Sequence, residues 1–439
     1  MIRQGVLRSE HQNYKSKIGK ADVLYVANTD NTIFRLKYRY KIGSLNDLKQ
    51  SLASQYVQFL GTDRLSAEEI SKAFYKIACS FNISTNEEYT TVAIEGLQDN
   101  FDKAVSLYED VIKNVKADET ALTALKARIA KSRKDSKANK GAILQGLTSY
   151  AIYGAKNKFN NNLSNQELEA VTSQELMERL KNLNNYEQTV IYYGPTPLPE
   201  LVGKLQTLHT VPTTFTATSA LKEFKQTNQT QNQVLFTDYD MVQAETRWIR
   251  NTENYDTDKN TIVNVFNNYF GGGMGSLVFQ TIRESKALAY STFGYYIAPQ
   301  KKDQEYYMLG YVGSQADKFK EATVAMNELL NQLPEVSGNL DLAKNQVKKD
   351  IQTERITQDN IIFTYLANKQ LGETSDVRKK LYTTVDNVSM QDLKAFHKNY
   401  LSEKPFTYAI VASEKKVSLE DMKKLGEVKK ISLEELFGY

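Results

Sequence analysis

The sequence predicts an α+β protein built twice: two sandwich domains, each with helices layered on one face of a largely antiparallel sheet. Three observations predict it. Three pairs of segments match across the chain at a nearly constant offset. A proline cluster followed by a Thr-, Asn- and Gln-rich stretch sits near the middle. Strand-like and helix-like runs alternate in the same order on both sides. The 439 residues also exceed one ordinary core, so two domains are the starting expectation.

The elements follow in order. TIFRLKYRYKIG (32–43) alternates as a strand does, and NDLKQSLASQYVQFLGT (46–62) has helical spacing. AEEISKAFYKIACSF (67–81) is expected as a second helix, EYTTVAIEGL (88–97) as a strand, and DNFDKAVSLYEDVIKNV (99–115) as the helix after it. That helix matches DKFKEATVAMNELLNQL (317–333), with Phe101 opposite Phe319 and Ala104 opposite Ala322. VTSQELMERL (171–180) matches VSMQDLKAFH (388–397). Each opens with a hydroxyl residue and an acid three positions on, Thr172 with Glu175 and Ser389 with Asp392, which is a helix-start signal. The strand-like QTVIYYGP (188–195) matches FTYAIVAS (406–413). Chance would scatter the offsets, so an internal duplication is expected; two generic domains of similar helix composition are the plainer alternative. Pro195, Pro197, Pro199 and Pro212 precede the polar stretch and mark a linker. The expected division is a first domain over 1–200, a linker over 201–232 and a second domain over 233–439.

Composition excludes several classes. Apolar residues at 41% and charged residues at 25% are ordinary for a soluble globular protein. A net charge of +4 gives no warrant for a nucleic-acid partner. No apolar run reaches the length of a membrane span. The N-terminus has no apolar core of a signal peptide, and Met1 is either a natural start or one added to a piece of a longer chain. Cys79 is the single cysteine, so no internal disulfide forms, and it is expected as a small buried hydrophobe. His11, His209 and His397 are the only histidines and are far apart, which excludes a metal site of closely spaced histidines. His397 is expected on a helix surface. The basic run KARIAKSRKDSKANK (126–140) is expected as a solvated helix face, with a substrate-attracting wall as the alternative.

The stretch FGGGMGSLVFQTIRESKALAYS (270–291) stands apart. Gly271, Gly272, Gly273 and Gly275 crowd together, Arg283 follows, and Tyr290 comes seven residues later. Glycines let another backbone approach closely. A guanidinium and a phenol are donors suited to developing negative charge. Plainer readings exist: glycine clusters mark turns, and Arg283 has Glu284 beside it as a surface partner.

The segments from LASQYVQFLGT and from NNYFGGGMGSLVFQTIRESKALAYS together resemble the pitrilysin/insulinase family of zinc peptidases, which includes the mitochondrial processing peptidases. The resemblance runs from about Tyr25 to the C-terminus. It implies duplicated α+β domains that close around a peptide-holding chamber. In catalytic members a helix before a Gly-Thr turn carries H-x-x-E-H, whose histidines bind zinc and whose glutamate activates water. Anchored on Gly61 and Thr62, those positions here hold Leu52, Ala53, Ser54, Gln55 and Tyr56. Both histidines are missing, and the amide of Gln55 is no general base. The family's third ligand is a glutamate on a later helix, yet none occurs between Glu119 and Glu167. The resemblance thus implies no metal in this chain and zinc in a partner half. It also implies that Arg283 and Tyr290 hold substrate and stabilise an oxyanion, and that Gly271, Gly272 and Gly273 approach the peptide backbone.

The expected function is therefore the non-zinc half of such a peptidase, without zinc-dependent cleavage of its own. Its partner is a zinc-bearing half, either a separate subunit or the preceding part of one polypeptide, and its substrates are unstructured peptides. An inert structural subunit and a peptide-binding module are the alternatives. A periplasmic setting is the analogy for exported members of this type.

Overall fold

The computed structural model describes residues 15–439. The first half runs β1 (Lys15–Ile18), β2 (Ala21–Ala27), β3 (Ile33–Tyr40), α1 (Leu48–Tyr56), α2 (Ala67–Lys76), β4 (Cys79–Thr85), β5 (Thr90–Leu97), α3 (Phe101–Asn114), α4 (Glu119–Lys137), α5 (Lys140–Tyr153), α6 (Asn165–Ala170), α7 (Ser173–Lys181), β6 (Gln188–Gly194) and α8 (Leu198–Leu208). The second runs β7 (Gln233–Asp238), β8 (Gln243–Asn254), α9 (Asn260–Phe270), a π-helical segment (Phe279–Ser285), β9 (Ser291–Ile297), β10 (Glu305–Gln315), α10 (Phe319–Asn331), α11 (Asn339–Thr353), α12 (Asn360–Gln370), α13 (Val377–Thr384), α14 (Met390–Tyr400), β11 (Thr407–Ala412), α15 (Leu419–Lys423), β12 (Glu427–Lys430) and α16 (Leu433–Phe437).

The two sheets repeat one topology. The first is ordered β1-β2-β6-β3-β5-β4 and the second β12-β7-β11-β8-β10-β9. In each, the first long strand pairs parallel with the last one, β2 with β6 and β7 with β11. The pairings β3–β6, β3–β5 and β4–β5 recur as β8–β11, β8–β10 and β9–β10, all antiparallel. The matched sequences occupy matched places. Phe101 and Phe319 open α3 and α10 and are both buried. Thr172–Glu175 and Ser389–Asp392 are full capping boxes at the starts of α7 and α14. Such a box satisfies two otherwise unpaired backbone donors, which is why the motif survives in both halves. The edge strands differ, because β1 pairs antiparallel with β2 whereas β12 pairs parallel with β7.

Each half lends a helix to the other. Ile143, Leu144 and Leu147 of α5 pack on Leu235, Ile249, Ala409 and Val411 of the second sheet. Ile362 of α12 packs on Leu24, Val26, Ile191 and Tyr193 of the first. This reciprocal exchange covers the sheet faces that lie opposite the two main cores. α5 is buried nearly all round, Thr148 and Ser149 included, as a helix sandwiched between layers must be. A charged latch secures α12: Asp359, just before it, is gripped by Lys37 and by Arg35 at 3.1 Å, both on β3.

Four details differ from the sequence expectations. The helix expected over 67–81 stops at Lys76, and Ala78, at φ 51°, turns the chain into β4 at Cys79. The first core takes in Leu201 and Leu205 of α8, past the division expected at 200. The polar stretch after α8 is docked rather than loose. Thr227 N–H donates to the Ile152 carbonyl at 2.9 Å, and the buried Gln229 amide donates to the Ala151 carbonyl at 3.0 Å, so the stretch caps the C-terminal end of α5. His397 is buried, not on a surface, and its Nε2 lies 2.9 Å from the Leu329 carbonyl. Its neighbours on α14, Leu393 and Phe396, are also buried, so helical spacing carries position 397 inward with them. Cys79 is a free, buried thiol.

Candidate functional site

The helix that aligns with the zinc motif is built for packing. Asp47 caps α1 through Lys49 N–H at 2.9 Å and is itself held by Arg179 at 2.7 Å. Leu52, Ala53 and Tyr56 are buried, and Gln55 is exposed. The Tyr56 hydroxyl donates to the Asp118 carbonyl at 2.6 Å and accepts from Asp118 N–H at 2.8 Å. Burial, as the largest cause, raises the Tyr56 pKa, so the phenol stays protonated. A leucine, a neutral amide and a doubly bonded phenol do not fit a zinc ion, which takes thiolate, imidazole or carboxylate. Among the described residues no group of His, Cys, Asp and Glu could hold a metal. His209 is engaged elsewhere, between Glu109 at 2.7 Å and Gln188 at 2.8 Å and stacked on Tyr38. His11 lies outside the described residues.

The glycine-rich stretch follows α9 and divides in two. Gly271 is buried, and a Cβ there would overlap the backbone of Gly294 in β9. Its missing side chain serves that close approach, and the residue is packed inside rather than presented at the surface. A Cβ at Gly272 would come 2.7 Å from the Asn267 carbonyl oxygen, so it too is set by packing. Gly273 and Gly275 are different: both are exposed with open space around them, and Gly273 has φ +155°, a backbone region that favours glycine. Met274 between them is 76% exposed.

The chain then enters the π-helical segment, a rare wide turn that recurs at functional sites. Leu277, Val278 and Ile282 anchor it in the second core. Arg283 points outward from its last turn. Its guanidinium lies 4.8 Å from the Phe279 ring centroid, and its Nε is 3.8 Å from Glu284. Ala287, at φ 49°, and a bond from Leu288 N–H to the Ile282 carbonyl at 2.9 Å end the segment. Tyr290 immediately precedes β9, the edge strand of its sheet, and its N–H donates to Gly313 at 2.9 Å. Its ring is 55% exposed and its hydroxyl accepts from the Gln315 amide at 2.7 Å. Arg283 and Tyr290 thus flank one short turn, each exposed and each held by its own neighbour. Phe279 and Gln315 are the side-chain contacts of Arg283 and Tyr290 that sequence reasoning missed. The aromatic four positions before Arg283 was the available signal; nothing local marked Gln315. Two clefts lie elsewhere, one of about 590 Å³ beside Glu88 and Lys301 and one of about 430 Å³ along α4.

Two family models match consecutive, overlapping parts of the chain. That for insulinase, peptidase family M16, matches residues 42–180, and that for the peptidase M16 inactive domain matches 161–347. The chain belongs to the M16 peptidase family. A Helicobacter pylori protein described as the non-peptidase homologue YmxG is 20% identical to this M16 chain over 388 residues, covering 85% of it and 87% of the relative. A Bacillus subtilis protein described as an uncharacterized zinc protease YmxG is 23% identical over 316 residues, 71% of this chain and 75% of the relative. The fold matches an M16 inactive-domain structure from Pseudomonas fluorescens with a TM-score of 0.69 at 14% identity, covering 91% of this chain and 97% of that one. It also matches the periplasmic protease PqqL of Escherichia coli with a TM-score of 0.69 at 13% identity, covering 93% of this chain and 48% of that one. The described residues contain no helix long and apolar enough to cross a membrane. Within the M16 family this chain is a zinc-free member, since Leu52 and Tyr56 stand at the positions of the motif's two histidines and Gln55 at that of its glutamate.

Proposed function

We propose that this M16 chain is the non-zinc half of a paired peptidase. It forms part of the wall around an unstructured peptide and supplies Arg283 and Tyr290 to substrate held against a zinc-bearing half, fused or separate. The observation that carries the reading is a contrast within one molecule. The zinc-ligand positions are filled by the packing residues Leu52 and Tyr56, whereas Arg283 and Tyr290 remain exposed beside a segment anchored in the second core. The fold supports either arrangement: this unit corresponds to about half of PqqL but to nearly all of the Pseudomonas fluorescens chain.

In such a pair the zinc of the other half would activate the attacking water. This chain's part is hydrogen bonding. The Arg283 guanidinium and the Tyr290 hydroxyl donate to the substrate backbone and to the oxyanion that develops during attack. Donors of this kind act by being in place before charge develops. Phe279 under the guanidinium and Gln315 on the phenol hold them there. Exposed Gly273 lets a peptide backbone approach without a side chain in the way. The test is reconstitution: the chain is combined with an H-x-x-E-H half, and cleavage of an unstructured peptide is followed. Neither half alone should match the pair.

An inert structural subunit or a peptide-binding module is the second reading. It is favoured by the local partners of Arg283 and by the relative described as a non-peptidase homologue. Equal turnover with and without Arg283 would select it.

A further inference from the structure

Cations elsewhere on this chain commonly meet carboxylates, as Arg64 meets Asp110 at 2.6 Å and Lys204 meets Asp102 at 2.9 Å. Helix α4 departs from this. From Lys126 to Lys137 it carries six cations and one acid, Asp135. Among the described residues only Lys137 of these cations pairs with a carboxylate, Glu434 at 3.5 Å. Lys126 is held on the Glu169 carbonyl at 2.6 Å, and Arg133 on the Leu163 carbonyl and the Asn165 side chain, both at 2.6 Å. Arg128, Lys131 and Lys134 are exposed and, among the described residues, have no ion pair.

Two of these three converge. Arg128, Lys131, Ser132, Asp135, Ser136 and Asn139 line a cleft of about 430 Å³ where α4 turns into α5. Their spacing of three and four residues puts them on one helix face. The Arg128 guanidinium lies 5.1 Å from the Phe59 ring centroid, in the turn after α1, so its planar head is oriented before any ligand arrives. We propose that this cleft binds acidic segments of unstructured polypeptide, with side-chain carboxylates set on Arg128 and Lys131. Two free cations suit one or two carboxylates. A nucleic-acid strand needs a longer basic track, and the chain as a whole is only +4. The inference goes beyond the paired-peptidase reading. It involves neither Arg283 nor Tyr290, so the two can fail separately.

The test is fluorescence anisotropy on the full chain. The probe is a labelled Gly/Ser peptide bearing a run of Glu, with Gln- and Lys-bearing versions and an oligouridylate for comparison. The Glu peptide should bind best and weaken about tenfold between about 50 mM and about 0.5 M salt, because exposed charges are screened. The double variant Arg128→Glu/Lys131→Glu should weaken it by about a further tenfold at low salt, and Arg128→Gln/Lys131→Gln by less. Lys379→Glu, on α13, should leave binding unchanged. Equal binding of the Gln peptide, wild-type binding by the double variant, or tighter binding of the oligouridylate would each overturn the proposal.

Discussion

Replacing Asp359 with alanine should release α12 from the first sheet. The Asp359 side chain is 5% exposed and lies between Arg35 and Lys37, which are 34% and 23% exposed. Removing one partner of a fully buried ion pair costs about 3–5 kcal/mol, because the other charge is left unpaired. Here the remaining charges are partly compensated. Arg35 keeps Glu95 at 3.6 Å, and Lys37 keeps the Phe363 ring at 4.7 Å. The expected loss is therefore about 2 kcal/mol. Hydrogen exchange of the α12 amides should quicken about thirtyfold, at 1.36 kcal/mol per tenfold. Burial pushes the Asp359 carboxyl up, but Lys37 and Arg35 outweigh it and hold the carboxyl below the usual range. With a depressed folded pKa, the latch is fully present above the unfolded value of about 3.9 and is lost as pH falls through the folded one. The latch should thus be insensitive to pH between about 5 and 8, and Asp359→Asn should remove its acid dependence. Wild-type exchange of α12 in Asp359→Ala would refute the reasoning.

Other outcomes follow from the same packing. Purified chain without an affinity tag should hold no stoichiometric zinc by metal analysis; one tightly held zinc per chain would contradict the packing of Leu52 and Tyr56. Gly271→Ala should destabilise the second half by about 2 kcal/mol or more in urea unfolding, since its Cβ meets the Gly294 backbone, whereas Gly275→Ala should change that stability by less than about 0.5 kcal/mol. Trp248, the single tryptophan and fully buried, reports that unfolding by fluorescence. Burial lowers the His397 pKa, partly offset by the Leu329 carbonyl. Its stabilisation is therefore present above the unfolded value of about 6.5 and lost as pH falls below it. His397→Gln should accordingly flatten the loss of stability between about pH 7 and 5.

The duplication was legible because packing and capping impose the same local rules twice. Phe101 and Phe319 must be apolar where α3 and α10 meet their sheets, and both capping boxes need a hydroxyl and an acid three residues apart. The exchange of α5 and α12 was not legible, because it depends on contacts between segments far apart in the chain. α5 is buried over nearly all of Ile143–Ile152, and its sequence does not say which sheet it covers. The strand at Cys79 was hidden because the turn rests on one left-handed residue, Ala78, whose identity does not announce that conformation. In the candidate site, the roles expected of Arg283 and Tyr290 come from the family resemblance, and their exposure comes from the structure. The division of the glycines could not be read from the sequence, because it is set by where Gly271 meets Gly294 of β9 and where Gly272 meets the Asn267 carbonyl.

The measurement that tests the central claim most directly is peptide turnover by the reconstituted pair, wild type against Arg283→Ala, with folding of the variant verified by Trp248 fluorescence. The account predicts a kcat about 10²-fold lower, the scale for losing one oxyanion donor. KM should change much less, because the bond strengthens mainly in the transition state. Tyr290→Phe should act in the same direction. Wild-type kcat in both variants would contradict the account and leave this chain as scaffold.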